Sequence, residues 1–278
     1  MIGFRSSSFV GIALLVAAAL PTQADTLNGN GSWQSWSAAT LGTASSPTYG
    51  GPYWNNKSGQ GPAGNVGWCL IGGGDCSMPN PPGALPFFGN GNTAVPTMSF
   101  SSTGSGSAVD VSLAGVFTTQ TTPAIGLDYF GYYLLDSSGI VTSPTRLFSV
   151  TDPLGTAKSF SVGPNTKYGF YLENVQGQGT SLETDYWFFM DSNQDTTNRG
   201  IPLTPFQHAA VFQNGATGYY VGFEDCISTA DDNCDRDYND MIVKVGASAV
   251  PEPAAPILAS TGLLSIALLL GGKKHKRS

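Results

Sequence analysis

Residues Tyr219–Gly246 read YYVGFEDCISTADDNCDRDYNDMIVKVG, and this stretch decides how the rest of the chain is interpreted. It begins with an apolar strand pattern, Tyr219–Phe223, and ends with an alternating one, Met241–Val245. Between them lie seven carboxylates within seventeen residues, offset by Arg236 alone. Carboxylates this close repel one another unless a cation neutralises them, and Ca²⁺ takes roughly six to eight oxygen ligands of this kind. The stretch therefore predicts two strands joined by a calcium-binding loop.

The predicted ligands come from both ends of this loop, where the flanking strands hold the backbone. They are Glu224, Asp225, Asp235, Asp237 and Asp240. Backbone carbonyls of the loop are expected to complete the shell. Asp231 and Asp232, in the middle of the loop, are expected to be exposed. The alternative is a solvated run of charge, but the fixed ends and the short spacing of the acids favour a metal site.

Two motifs in this half of the chain resemble a known family. The first is GFED at 222–225, followed by DRDYND at 235–240 and β-branched residues, and the second is YGFYL at 168–172. Together they resemble the DUF4114 family, a domain of bacterial extracellular and surface proteins without an assigned activity. The resemblance covers roughly Val150–Val245 and implies an extracellular β domain in the C-terminal half.

The N-terminus has the order of a secretory signal peptide. Residues 1–24 contain Arg5, an apolar run from Phe9 to Leu20, and small residues up to Ala24. This order predicts an exported chain with a signal helix that is cleaved after Ala24. The alternative is an uncleaved anchor, although the run is short for a membrane span.

At the other end, residues 247–278 contain Pro251-Glu252-Pro253, an apolar run (Ile257–Leu270) and a basic tail (Lys273–Arg277). This order resembles the PEP-CTERM sorting signal of Gram-negative bacteria. The resemblance implies that the membrane enzyme exosortase recognises the tripeptide and removes the tail. It also implies a short transmembrane helix that anchors the chain transiently in the inner membrane. A plain C-terminal anchor is the alternative.

Charge and cysteines narrow the class of protein further. Residues 25–250 hold 18 acidic and 7 basic side chains, a balance of −11, which argues against nucleic acid as a partner. In an exported chain the four cysteines predict disulfides, and short loops favour Cys69–Cys76 and Cys226–Cys234 among three possible connectivities. Neither pair has the Cys-x-x-Cys spacing of zinc or redox sites.

Residues 25–106 form a part of the chain rich in glycine, proline and aromatic residues. The aromatic side chains offer enough apolar surface to predict an ordered, loop-rich segment of the β domain. Short strands are expected near Val66–Ile71 and Thr97–Ser101. Tyr49–Trp54 with Trp68 suit either core packing or a sugar-stacking platform, and core packing is favoured.

From residue 107 to residue 246 the pattern is β throughout, with turn residues between nearly all of the segments. The predicted strands lie near 109–113, 127–135, 146–150, 159–162, 167–172, 186–190, 209–213, 219–223 and 241–245. Many short strands at this spacing predict an all-β fold, a β-sandwich or jelly-roll-like domain.

A second acidic motif, Asp191-x-Asn193-x-Asp195, begins like an EF-hand loop. It lacks the glycine expected at the sixth position and the glutamate expected at the twelfth, where Thr196 and Pro202 stand. A turn is therefore the favoured interpretation.

Little in the sequence indicates catalysis. The body has one histidine, His208, no GxSxG motif, and carboxylates gathered where a cation would hold them ionised. The sequence predicts a non-enzymatic, calcium-stabilised β-sandwich at the cell surface or in the extracellular matrix. The PEP-CTERM resemblance adds an association with exopolysaccharide and with biofilm or floc formation. The alternatives are a carbohydrate-binding module that uses surface aromatics with calcium, and a glycan-active hydrolase.

Overall fold

The computed structural model describes residues 25–36, 42–43, 46–47, 51–55, 64–72, 76–117, 127–177, 183–197, 200, 202–203, 207–227 and 236–249. Several predicted features lie outside these ranges: the signal peptide (1–24), the sorting motif Pro251-Glu252-Pro253 with its transmembrane segment and basic tail, and Asp231, Asp232, Cys234 and Asp235. Within the described ranges, no helix has the length and apolar character needed to cross a membrane.

The described residues form antiparallel strands and one short α-helix. The strands are β1 (Thr26–Gly29), β2 (Ser32–Gln34), β3 (Gly42–Thr43), β4 (Ser46–Pro47), β5 (Phe87–Gly89), β6 (Met98–Ser101), β7 (Ser107–Val116), β8 (Leu127–Leu135), β9 (Val141–Ser149), β10 (Ala157–Val162), β11 (Lys167–Gln176), β12 (Thr184–Phe189), β13 (Thr196–Thr197), β14 (Ala209–Asn214), β15 (Gly218–Phe223) and β16 (Met241–Ala249); the helix is α1 (Val66–Gly72). The predicted all-β class is confirmed.

Two sheets of seven strands make up most of the fold. In sheet A, β11 pairs with β8 along one edge and with β12 and β6 along the other; β9, β13 and β1 lie further out. Sheet B has the order β10-β7-β16-β15-β14-β5-β2. Strands from residues 25–106 take part in both sheets, so the Gly- and Pro-rich segment is integral to them.

The two sheets pack face to face around one aromatic and aliphatic core. Alternation places every second side chain inward, as in β7, where Val109 and Val111 are buried and Asp110 is exposed. The rings of Phe130 from sheet A and Phe223 from sheet B meet across the core at 5.8 Å. Fully burying one such side chain contributes about 1.5–3 kcal/mol, so the predicted sandwich rests mainly on this layer.

A third layer covers the outer face of sheet B. Tyr53, Trp54 and Leu70 pack there against Phe212 and neighbouring side chains of the sheet. Trp54 is fully buried and its ring lies 5.2 Å from that of Phe212. Core packing, the favoured interpretation, is therefore confirmed for Tyr53 and Trp54; Tyr49 lies outside the described residues.

Helix α1 corrects one prediction, because a strand was expected at Val66–Ile71. The side chain of Asn65 accepts a hydrogen bond from the backbone N–H of Trp68 at 3.1 Å, which is an N-cap. A short apolar run does not by itself distinguish a buried strand from a buried helical turn. Here the N-cap and the burial of Val66 and Leu70 on one side favour a helix over a strand.

The first described residue, Asp25, is fastened into the edge of the core. Its carboxylate accepts hydrogen bonds from the hydroxyls of Ser107 and Tyr168, and its carbonyl accepts one from Tyr219 at 2.8 Å. Only 2% of Asp25 is exposed. These contacts fix the entry of the chain into β1 from both sheets, since Tyr168 lies on β11 and Tyr219 on β15.

The predicted Cys69–Cys76 disulfide is confirmed; it links α1 to the segment that follows. The predicted partner of Cys226 lies outside the described residues, so the Cys226–Cys234 bridge stays a prediction.

Loss of the Cys69–Cys76 bridge is expected to loosen the third layer. The double variant Cys69→Ala/Cys76→Ala should lower the free energy of unfolding by roughly 2 kcal/mol, because the unfolded chain is no longer constrained by the closed loop. Urea unfolding of the oxidised wild type and the variant measures this difference. Identical urea midpoints would show that the bridge does not contribute to stability.

Candidate metal centre

Strand pairing brings the two ends of the acidic loop together. Phe223 and Met241 are the last partners of the β15–β16 ladder, and the N–H of Asp240 donates to the Phe223 carbonyl at 3.1 Å. Glu224 and Asp225 therefore stand beside Asp240, whose carboxylate accepts the N–H of Asp225 at 2.7 Å. One carboxylate oxygen from each of these three acids lies within 4.8 Å of the others. Two oxygens on opposite sides of one Ca²⁺ are about 5 Å apart, so the three acids fit around a single ion.

Sheet A supplies two further polar residues that sequence reasoning missed. Asp128 on β8 and Asn174 on β11 are direct register partners. The amide nitrogen of Asn174 donates to the carboxylates of Asp128 at 2.8 Å and of Asp225 at 3.1 Å. One signal was available: Asn174 follows the alternation of Tyr168, Phe170 and Leu172, so an amide occupies a position where an apolar side chain was expected.

The carboxylate of Glu224 is hydrogen-bonded to the backbone of the acidic loop. One of its carboxylate oxygens accepts the N–H of Asp237 at 2.9 Å and of Tyr238 at 3.3 Å. The Sγ atom of Cys226 lies 2.7 Å from the other oxygen. Arg236 and Tyr238 have φ angles of +55° and +57°, a region that costs a non-glycine residue about 1–3 kcal/mol. The contacts to Glu224 stabilise this strained turn.

Asp237 also contributes to the turn. It is buried, and its carboxylate accepts the N–H of Asn239 at 3.3 Å. Of the five ligands predicted from the sequence, the structure thus gathers Glu224, Asp225 and Asp240 in one cluster with Asp237 next to it. Asp235 lies outside the described residues.

The electrostatics of the cluster disfavour bare carboxylates. Burial raises the pKa of Asp240 well above its ordinary range, and the charges of Asp225, Glu224, Asp237 and Asp128 raise it further. Burial and the charge of Asp225 likewise raise the pKa of Asp128, against the hydrogen bond from Asn174. A divalent cation reverses this balance because it favours the ionised form of every acid around it.

A second buried pair lies beside the cluster. His208 approaches Asp195 with 3.4 Å between Nε2 and Oδ2, and its Nδ1 lies 3.0 Å from the backbone oxygen of Glu224. The imidazole stacks on Phe188, and the other oxygen of Asp195 accepts the N–H of Phe189 at 2.7 Å. Burial raises the pKa of Asp195 to about 9 and lowers that of His208 to about 4. Both directions indicate that the pair is uncharged at neutral pH.

The EF-hand-like motif is a turn, as the sequence favoured. Asp191 caps a short 3-10 segment, Ser192–Gln194, and its side chain accepts the N–H of Asn193. Asp195, the third polar position of the motif, lies instead against His208. The pairing with His208 could not be read from the sequence, because the two residues, which precede β13 and β14, meet only through the tertiary fold.

Comparisons with known proteins find that part of the chain is similar to a described family. Residues 155–248 match the family described as "Domain of unknown function (DUF4114)", which agrees with the resemblance noted in the sequence. No curated protein matches the chain. Among solved structures, the Chromobacterium violaceum lectin CV2L in complex with α-methyl-fucoside aligns at 13% identity over 53% of this chain and 92% of the lectin, with a TM-score of 0.24. Similarity at that level supports no conclusion about fold or ligand.

The uncharged Asp195–His208 pair predicts a specific pH dependence. Because the pKa of Asp195 is raised to about 9 in the folded state, its contribution is complete below the ordinary value of 3.8 and is lost as pH rises towards 9. Because the pKa of His208 is lowered to about 4, its contribution is lost as pH falls below the ordinary value of 6.5. The free energy of unfolding should therefore decline above pH 6.5, by at most about 1.4 kcal/mol per pH unit.

Denaturant unfolding between pH 6.5 and 9, at a fixed calcium concentration, measures this decline. Asp195→Asn should flatten the profile because the amide does not titrate in this range. The exposed Asp110→Asn serves as the control and should leave the profile unchanged. Parallel profiles for wild type and Asp195→Asn would instead indicate an ionised pair.

Proposed function

We propose that this chain is a non-enzymatic β-sandwich protein of the cell surface or extracellular matrix, stabilised by Ca²⁺ at the end of β15 and β16. The observation that supports this proposal is the convergence of Glu224, Asp225 and Asp240. One carboxylate oxygen of each lies within 4.8 Å of the others, and Glu224 and Asp240 are only 2% and 4% exposed. Carboxylates in such a setting favour a bound cation over the bare ionised state.

The donor set favours calcium over other metals. The acids that converge here offer carboxylate oxygens, the ligands of hard cations. The Nδ1 atom of His208 faces a backbone oxygen, and its Nε2 faces Asp195, so no imidazole nitrogen faces the described acids of the cluster. Magnesium demands a near-ideal octahedron, whereas calcium accepts the irregular geometry of strand ends and a loop.

Export is consistent with this chemistry. The signal-peptide pattern at 1–24 and the PEP-CTERM-like signal at 247–278 support secretion, an inner-membrane intermediate and removal of the tail by exosortase. The Cys69–Cys76 disulfide fits an oxidising compartment. Outside the cell, weak calcium sites are filled because calcium is abundant there. We place the mature protein in the exopolysaccharide matrix of a Gram-negative biofilm or floc.

The buried acids and histidine support a structural role. Asp195 and His208 are 2% and 1% exposed, so a substrate has no access to this acid–histidine pair. Tyr53 and Trp54, which a sugar-stacking platform would need at the surface, are packed against sheet B.

Calcium is expected to raise the melting temperature of the exported protein, and EDTA to lower it. A ligand that binds only the folded state stabilises it by about 2.7 kcal/mol at a hundredfold excess over Kd, and by about 1.4 kcal/mol for a site with a Kd of about 0.1 mM in about 1 mM calcium. Magnesium should restore little of this stability. Coincident melting curves in calcium and in EDTA would contradict the proposal.

Asp240→Asn should reduce the calcium response, since a neutral amide replaces a charged ligand. In EDTA the same variant should melt at or above the wild-type temperature, because one repulsive charge is removed from a buried cluster. The exposed Asp110→Asn controls for net charge and should behave as wild type in both conditions. A variant that responds to calcium as wild type does would remove Asp240 from the site.

Processing of the C-terminus is tested by intact mass spectrometry of the cell-surface form from a host that has exosortase. The mature protein should lack residues 257–278, and Glu252→Ala should keep them because the sorting motif is damaged. Detection of Lys273–Arg277 on the wild-type surface form would exclude exosortase processing.

A further inference from the structure

We propose that Asp128 and Asn174 are additional ligands of the same cation, so that the ion joins sheet A to sheet B. This inference rests on the calcium site proposed above and extends it across the sandwich. It assigns metal-binding roles to two residues that lie outside the acidic loop, on strands β8 and β11.

The two residues occupy inward positions at the end of sheet A. Asp128 is two residues before Phe130 on β8, and Asn174 is two residues after Leu172 on β11. Phe130 and Leu172 belong to the core between the sheets, so alternation directs Asp128 and Asn174 to the same side. Both are nearly inaccessible, at 1% and 2% exposure. The carboxylate of Asp128 and the amide of Asn174 therefore lie at the edge of the hydrophobic core between the sheets.

Each of these side chains has an oxygen that its surroundings leave unsatisfied. Among the described residues, no hydrogen-bond donor reaches Oδ2 of Asp128 or Oδ1 of Asn174. Buried polar oxygens normally have a hydrogen-bond partner. Two oxygens without one, on residues that face each other across neighbouring strands, are unusual if the residues only fill space in the core. Both atoms are of the kind that calcium binds.

Asn174 connects this pair to the acids of sheet B. Its amide nitrogen lies 2.8 Å from Asp128 and 3.1 Å from Asp225, so the side chain stands between a carboxylate of each sheet. A half-turn of the amide about Cβ–Cγ exchanges its nitrogen and oxygen. That rotation would place Oδ1 between the two carboxylates, an arrangement that a cation at this position makes favourable.

The charges explain why an ion here would act on both sheets. Asp128 of sheet A faces Asp225 and Asp240 of sheet B, and each of these charges disfavours the others. Without a cation this repulsion acts to separate the sheets at this end. A divalent ion between them converts the same charges into an attraction across the core. Glu224 has a second role besides that of a ligand, because one of its carboxylate oxygens also accepts hydrogen bonds from the loop backbone and so positions the loop.

Calcium titration calorimetry of the purified exported protein tests the ligand assignment. Asp128→Asn should weaken calcium binding at least tenfold, while its melting temperature in EDTA stays at or above that of wild type. Asp110→Asn, exposed on β7, is the matched control and should bind as wild type. If Asp128→Asn binds within twofold of wild type while Asp240→Asn is weakened, the inference is overturned and the proposed calcium site stands. If the wild type binds no calcium, the proposed function itself fails.

The variant Asn174→Asp distinguishes two possible roles of Asn174, that of a metal ligand and that of a hydrogen-bond donor. If Asn174 serves only as a hydrogen-bond donor to Asp128 and Asp225, the variant should lose both stability and calcium binding. The amide hydrogens would then be replaced by a carboxylate that repels the other two. A ligand role predicts a lower melting temperature in EDTA with calcium affinity equal to or tighter than that of wild type. This variant also decides the question if Asp128→Asn does not fold.

Hydrogen exchange tests whether the ion joins the sheets. Calcium should slow amide exchange in β8 and β11 as well as in β15 and β16 of the wild type. In Asp128→Asn, protection by calcium should be confined to the strands of sheet B. Wild-type protection limited to β15 and β16 would show that the ion binds the loop without joining the sheets.

Discussion

The pairing of β15 with β16 is the interaction on which the candidate site depends. Apolar partners such as Val221 and Val243 fix the register, and burial of their side chains holds the ladder together. Continuing that register places Glu224 and Asp240 side by side, even though their negative charges repel each other. The acids cannot move apart without breaking the ladder, so the repulsion among them is imposed by the core. A site of this kind is held in place before any ion arrives.

Sequence patterns predicted the parts of the fold that depend on local order. The strands from residue 107 onwards follow period-two alternation, and the Cys69–Cys76 bridge agrees with the pairing that the short spacing of these two cysteines favoured. The helix at Val66–Gly72 was missed because seven apolar residues fit a strand and a helix equally well. Its cap, Asn65, was the local signal that distinguished them.

The residues of the candidate site beside sheet B could be predicted from the sequence, whereas those on sheet A could not. Glu224, Asp225 and Asp240 are close in sequence, so their meeting follows from one hairpin. Asp128 and Asn174 are separated by 46 residues and meet only through the register of β8 with β11. Such pairing is set by the global fold, which no local pattern records. An amide at an inward strand position was the one visible indication.

The burial of Asp25 has a consequence for the order in which the protein assembles. Its contacts reach Tyr168 and Tyr219, 143 and 194 residues further along the chain. Because a chain is synthesised from its N-terminus, Asp25 is made long before these two partners, and contacts of such long range form slowly. Strand β1 can pair earlier with β6, but Asp25 lacks its two tyrosine partners until most of the polypeptide has been made. The acidic loop is made near the end of synthesis, so folding is completed only once almost the whole domain has been synthesised.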